Sequence, residues 1–168
     1  MFAAYRPPIY DTHVTTALLI VHGLLAVALL GALTHQAAAV LMPATRPAGS
    51  FTGRFRAVPA PGYANAIVVL YILTMLLGAI IYGEYRISIR IVLEELQMRA
   101  ANGSFELKEH FAAIALGMLP AYWWSWRQPA TVPTVARSRM MFTAILAFVV
   151  WWNFLVGHIV NNIRGFGS

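Results

Sequence analysis

Four stretches of this chain are apolar over a helix-forming length, and polar or proline-containing segments separate them. His13 to Met42, rich in alanine and leucine, is the first, and Pro43 closes it. The second, Tyr63 to Gly83, keeps its helical period beyond its apolar part. Ile87, Ile91, Leu93 and Leu96 recur at helical spacing, while Arg86, Arg90, Glu94 and Glu95 share the polar side. This predicts a second helix with an amphipathic extension to about Ala101. Asn102-Gly103 predicts a stop and a turn. Ser104 then caps a third helix, with Glu106, Lys108 and Glu109 in its first turn. That helix runs from Glu106 to about Trp126 and ends in Tyr122, Trp123, Trp124, Trp126 and Arg127, the pattern of an interfacial aromatic belt. Arg139 to Ile163 is the fourth.

A membrane-spanning helix needs about 20 apolar residues. The expected fold is therefore all-α, a polytopic membrane protein with spans at 13–42, 63–83 extended to 101, 106–126 and 139–163. Short connections make it a single up-down-up-down bundle of four transmembrane helices over residues 1–168. Met1 to Thr12 reads as a polar tail and not a signal peptide. Ala44 to Gly62, with Arg46, Arg54, Arg56 and several prolines, reads as a loop.

Composition agrees with the pattern. Of the 168 residues, 60% are hydrophobic and 11% charged, against about 25% charged in soluble domains. Cysteine is absent, which excludes a disulfide framework, thiolate zinc and the c-type haem attachment motif. The net charge of +6 comes without a basic patch interleaved with aromatics. It points to topology and lipid contact rather than nucleic acid. The expected partners are the lipid bilayer and other subunits of a membrane complex, or a second copy. An alanine- and arginine-rich chain of this kind suits a multi-pass protein of a bacterial inner membrane. In the four-span layout all six acids fall on the side of the N-terminus, here the first side. Arg6, Arg86, Arg90, Arg99, Lys108 and Arg164 share it; Arg46, Arg54, Arg56, Arg127, Arg137 and Arg139 lie on the other. Counting Lys and Arg therefore gives a tie, and only the flanks of the first span favour the second side as cytoplasmic.

The histidines carry the chemistry. At about 1.5 Å per residue, His110 lies roughly 6 Å in from the first side, His158 roughly 8 Å and His22 roughly 13 Å. Three helices thus bring a histidine into one half of the membrane, where polar residues are costly and mark function. His13 and His35 read as interfacial. Three chemistries can use the cluster. Two neutral imidazoles can ligate a b-type haem from opposite faces, and His110 with His158 match best in depth, His22 with His110 being the alternative. Gly117 and Gly157 would admit a flat ring, and Arg86, Arg90, Lys108 and Arg164 could meet propionates. The same histidines, with Glu84, Glu106 and Glu109, could instead hold copper, iron or zinc. A histidine and a carboxylate near the surface could also bind a quinone head group or pass protons.

Taken with His22, His110 and His158, the four-span layout resembles the small bacterial membrane cytochromes b of the di-haem, four-helix kind. That resemblance implies b-type haem and electron transfer between quinol and a partner. Helix two carries no histidine, a departure that bears on a second haem. The competing expectations are a cofactor-free structural or assembly subunit, with the charged segment Gly83 to Phe111 as its docking surface, and a metal transporter or chaperone. The sequence carries no GxSxG, P-loop or HExxH motif. Ordinary roles compete for each residue. A histidine can be a hydrogen bond between helices, Glu106 and Glu109 can favour a helix N-terminus, Glu94 and Glu95 can be a solvated face, and Trp151 and Trp152 can pack or face lipid.

Overall fold

The computed structural model describes residues 11–41, 49–56, 60–129 and 131–163. The tail to Tyr10, much of the proline-rich loop including Arg46, and Arg164 lie outside the described residues. Every regular element among those described is helical. Helix α1 is Thr12–Leu41, α2 is Phe51–Arg56 and α3 is Ala60–Glu84. A π-helical stretch, Tyr85–Ile89, joins α3 to α4, Arg90–Glu95. Helices α5, Arg99–Arg127, and α6, Pro133–Ile163, complete the chain.

Local chemistry sets these boundaries. Asp11 caps α1, its carboxylate accepting the His13 amide proton at 2.8 Å and its carbonyl that of Thr15. Ser50 does the same for α2, its hydroxyl accepting the Gly53 amide at 3.0 Å. The expected loop from Ala44 to Gly62 therefore contains one short helix, in a stretch that carries no proline. Pro133 opens α6, where its missing amide proton costs nothing.

The turn after the second long helix is not at Asn102-Gly103. It comes at Leu96 to Met98. Gln97 adopts a left-handed φ of 56°. The Met98 amide donates to the Leu93 carbonyl at 2.8 Å and the Gln97 amide to that of Glu94 at 3.1 Å. These two bonds form a Schellman motif, and Met98 packs against the buried cluster that includes Leu93. Asn102 and Gly103 instead lie inside α5, and Ser104 caps nothing. The Asn102 side chain ties helices together, accepting from the Tyr85 hydroxyl at 3.1 Å.

Three helices are long and apolar enough to cross a membrane: Thr12–Leu41, Gly62–Glu95 and Pro133–Ile163. In none of them is more than 33% of the apolar window buried. Large apolar side chains such as Leu24, Leu76 and Ile159 face outward. A water-soluble fold would hide such a surface, so this is a multi-pass membrane protein in contact with lipid. Helix α5 does not reach the same apolar length. Its first turns carry Glu106, Lys108, Glu109 and His110, and its last turns are aromatic and polar.

The four long helices pack in a closed ring. α1 touches α3 and α6, and α5 touches the same two, most extensively α6. The core fills the middle of the ring, around Leu33, Ile67, Leu119, Tyr122 and Leu146. Arg139 of α6 finishes α5. Its guanidinium donates to the carbonyls of Ser125, at 2.7 Å, and Gln128 while lying over the Trp126 ring, which satisfies acceptors that a helix end leaves open.

Candidate functional site

A cavity of about 370 Å³ opens between all four long helices, at the end where α1 begins and α6 ends. Helical spacing puts its lining in place. On α6, Asn153, Gly157 and Asn161 follow one another at i, i+4 and i+8, with His158 beside them. Phe105, Lys108, Glu109 and Ala112 form the inward stripe of α5 at i, i+3, i+4 and i+7. His22 enters from α1, and Tyr71, Gly78 and Tyr82 from α3. The π-helical stretch contributes Tyr85 and Ile89. In that stretch the Arg90 amide reaches back five residues to the Tyr85 carbonyl, a geometry frequent at functional sites.

The sequence-predicted histidines separate. His22 and His158 both line the cavity, from α1 and α6. His110 does not. It is exposed and donates from Nδ1 to the Glu106 carbonyl at 2.7 Å. With Lys108 and Glu109 turned inward, a residue one or two positions further on falls 100–200° around the helix. The expected pairing of His110 with His158 across one site is therefore not what this geometry brings together. His35 lies in the other half, its ring hydrogen-bonded to the Tyr63 hydroxyl at 2.9 Å, and His13 is exposed.

The expected arginines are engaged elsewhere. Arg86 is exposed and donates to the Tyr82 hydroxyl at 3.4 Å. Arg90 pairs with Glu94 at 2.7 Å and Glu106 at 3.0 Å. Neither lines the cavity, and the cation that does is Lys108. Its ammonium pairs with Glu109 and sits 4.4 Å over the Phe105 ring. That ring stacks on Tyr85 with centroids 3.7 Å apart. Gly117, expected to admit a flat ring, has open space around it, while Gly157 backs onto the Lys108 stem. Gly78, absent from the sequence reading, makes the closest approach. A Cβ there would stand 3.2 Å from His22 Cε1, so the imidazole occupies the space the glycine leaves.

Two polar atoms on this wall are buried without a hydrogen-bond partner: His22 Nδ1 and Asn153 Oδ1. Buried polar atoms in folded proteins are paired almost without exception, and these two border a void. Asn153 was missed from sequence. Its place at i, i+4 and i+8 with Gly157 and Asn161 on an otherwise apolar helix was the available cue. Among the described residues no group of three His, Asp or Glu side chains is arranged to hold a metal ion. No protein-family model, curated protein or solved structure matches the chain.

Proposed function

We propose that this chain is a four-span, up-down-up-down membrane protein that binds the ring of a quinone-type electron carrier in its cavity. It serves electron transfer between that carrier and a partner subunit. The fourth span in this reading is α5. It is about 44 Å long at 1.5 Å per residue, closes the ring with α3 and α6, and turns Ile114 and Leu116 outward.

The observation that carries the ligand reading is the wall itself. The cavity is largely apolar and aromatic, its one lysine is neutralised by Glu109, and two buried polar atoms face it unpaired. An apolar pocket of a few hundred Å³ with a few convergent polar groups suits a neutral amphiphile with a hydrogen-bonding ring. The test is calorimetric titration of the purified full chain in lipid nanodiscs with a short-tailed benzoquinol. Saturable binding that weakens in His22→Ala is expected, and the absence of binding overturns the proposal.

A second reading is favoured by His22 and His158 sharing the cavity. It is the b-type haem subunit, in which these two imidazoles would hold the iron and Lys108 would offer a cation to a carboxylate of the group. Haem would supply a one-electron carrier, and the chain would hold and shield it. A reduced-minus-oxidised visible spectrum decides between the readings. A sharp low-spin band that His22→Ala and His158→Ala abolish, and His110→Ala spares, establishes haem. A flat spectrum without iron eliminates it.

A further inference from the structure

We infer that the outer face between α3 and α5 holds an anionic phospholipid, its phosphate on Arg127 and an acyl chain in the groove beside that residue. The inference rests on α5 as the fourth span and is independent of what fills the cavity.

The site lies toward the end of the ring opposite the cavity. A groove of about 270 Å³ is lined by Val68 and Ile72 of α3 and by Leu116, Leu119, Pro120 and Trp123 of α5. Its walls are apolar, and Ile72, Leu116 and Trp123 are exposed despite their size. Helical spacing continues each wall to a polar residue. Asn65 stands three residues before Val68, and Arg127 four residues past Trp123. These residues meet. Arg127 donates to Asn65 Oδ1 at 3.2 Å and lies 3.9 Å over the Trp123 ring, while Trp123 donates to the same oxygen at 2.7 Å. The guanidinium is thus held at the mouth of the groove. It keeps donors beyond the one given to Asn65, in a planar fork that matches a phosphate. From Leu116 to Arg127 the wall runs about 16 Å at 1.5 Å per residue, close to half of a hydrocarbon core about 30 Å thick. A lipid of one leaflet therefore meets an apolar wall along its chain and the guanidinium at headgroup level.

Charge decides the class of headgroup. All six acids of the chain stand at the cavity end. Arg54, Arg127 and Arg137 are exposed at this end, with no Asp or Glu to balance them. A zwitterionic headgroup brings a cation of its own into this field, and an anionic one neutralises it.

The test compares two lipids of the same chain length. The full chain in a neutral detergent is titrated with dioleoyl phosphatidylglycerol and, separately, with dioleoyl phosphatidylcholine, and bound lipid is counted by native mass spectrometry. The phosphatidylglycerol is expected to bind about tenfold tighter, the attraction of one or two surface cations. Arg127→Gln should remove most of that preference, while Arg99→Gln, at the cavity end, should keep it. Equal wild-type affinities, or a preference that Arg127→Gln leaves intact, overturn the inference. The wild-type comparison decides without any variant, and far-UV circular dichroism establishes whether Arg127→Gln has folded. The chain has no cysteine, so Ile114→Cys reports the span separately. This outward residue of α5 should resist a water-soluble maleimide in nanodiscs, and its labelling would overturn the fourth span together with the inference.

Discussion

The hydrogen bond between Tyr122 and Gln36 offers a sharp test of how this ring of helices is held. The Tyr122 hydroxyl donates to Gln36 Oε1 at 2.6 Å, and both side chains are 0% exposed. The bond links α1 to α5, helices that lie opposite each other in the ring. Tyr122→Phe removes the donor and strands Oε1 in the core. An unpaired buried carbonyl costs about 1–3 kcal/mol, while helix–helix hydrogen bonds in bilayers average about 0.6 and reach about 1.7 kcal/mol. A loss of about 1.5 kcal/mol is expected. Gln36→Leu strands the tyrosine hydroxyl instead. It also removes Gln36 Nε2, which already lacks a partner, so its net loss should be smaller, under about 1 kcal/mol. The double variant removes every unpaired group and fills the space with apolar atoms. It should lie within about 0.5 kcal/mol of the wild type, giving a coupling of about 2 kcal/mol. The assay is unfolding by dodecyl sulfate in mixed micelles, followed by far-UV circular dichroism. Additive losses in the double variant would refute the reasoning, because they would mean the two groups act independently.

Two further substitutions probe the turn and the cavity. Gln97→Gly replaces a side chain held at a left-handed φ of 56°, a conformation that costs about 1–2 kcal/mol outside glycine. Allowing about 0.5–1 kcal/mol for the greater freedom of glycine in the unfolded chain, it should raise stability by about 0.5–1 kcal/mol in the same micelle assay, and any loss counts against the Schellman assignment. Gly78→Ala places a methyl 3.2 Å from His22 Cε1 and should displace the imidazole by a few tenths of an ångström. Ligand titration should then weaken several-fold with little change in unfolding, since the ring has a void to move into, and unchanged binding would remove His22 from the ligand's surroundings.

The helices were legible from sequence because long apolar runs leave little choice. A chain with 60% hydrophobic residues and several such runs can satisfy its backbone in lipid only as helices or a closed barrel. The turn was not legible, because propensity pointed to Asn102-Gly103 and packing decided otherwise. Placing Met98 on the buried cluster around Leu93, and Tyr85 within reach of Asn102, outweighed the strain of a left-handed glutamine. For the site, depth along the helix could be counted from sequence, and it put His22, His110 and His158 in one half of the ring; of these, His22 and His158 line one cavity. Rotation about the helix axis could not be counted. His110 shares the depth of Lys108 and Glu109 yet is exposed, and because polar residues at 106, 108, 109 and 110 surround α5 at that level, the pattern names no inward face. Only the packing of α5 between α3 and α6 fixes which residues turn inward.

Unpaired buried polar atoms occur in both halves of the ring, Gln36 Nε2 among them, but His22 Nδ1 and Asn153 Oδ1 are the ones that border the cavity. Toward the far end, polar side chains link helix to helix. Trp126 donates to Thr143 at 3.2 Å, Trp151 to Thr34 at 2.9 Å and Trp123 to Asn65 at 2.7 Å, and Arg139 closes the end of α5. At the cavity end, His22 and Asn153 stop at a void instead. A protein selected for stability alone would fill that void with apolar side chains, since packing at interior density is worth several kcal/mol. Leaving it open, with glycines at 78 and 157 beside the histidine and the lysine, costs stability at that end of the ring. The void is what a bound ring would occupy, so ligand should raise the unfolding midpoint of the wild type and do so far less in Asn153→Leu. The same ligand should shift Tyr122→Phe as much as it shifts the wild type, because that hydrogen bond lies in the other half.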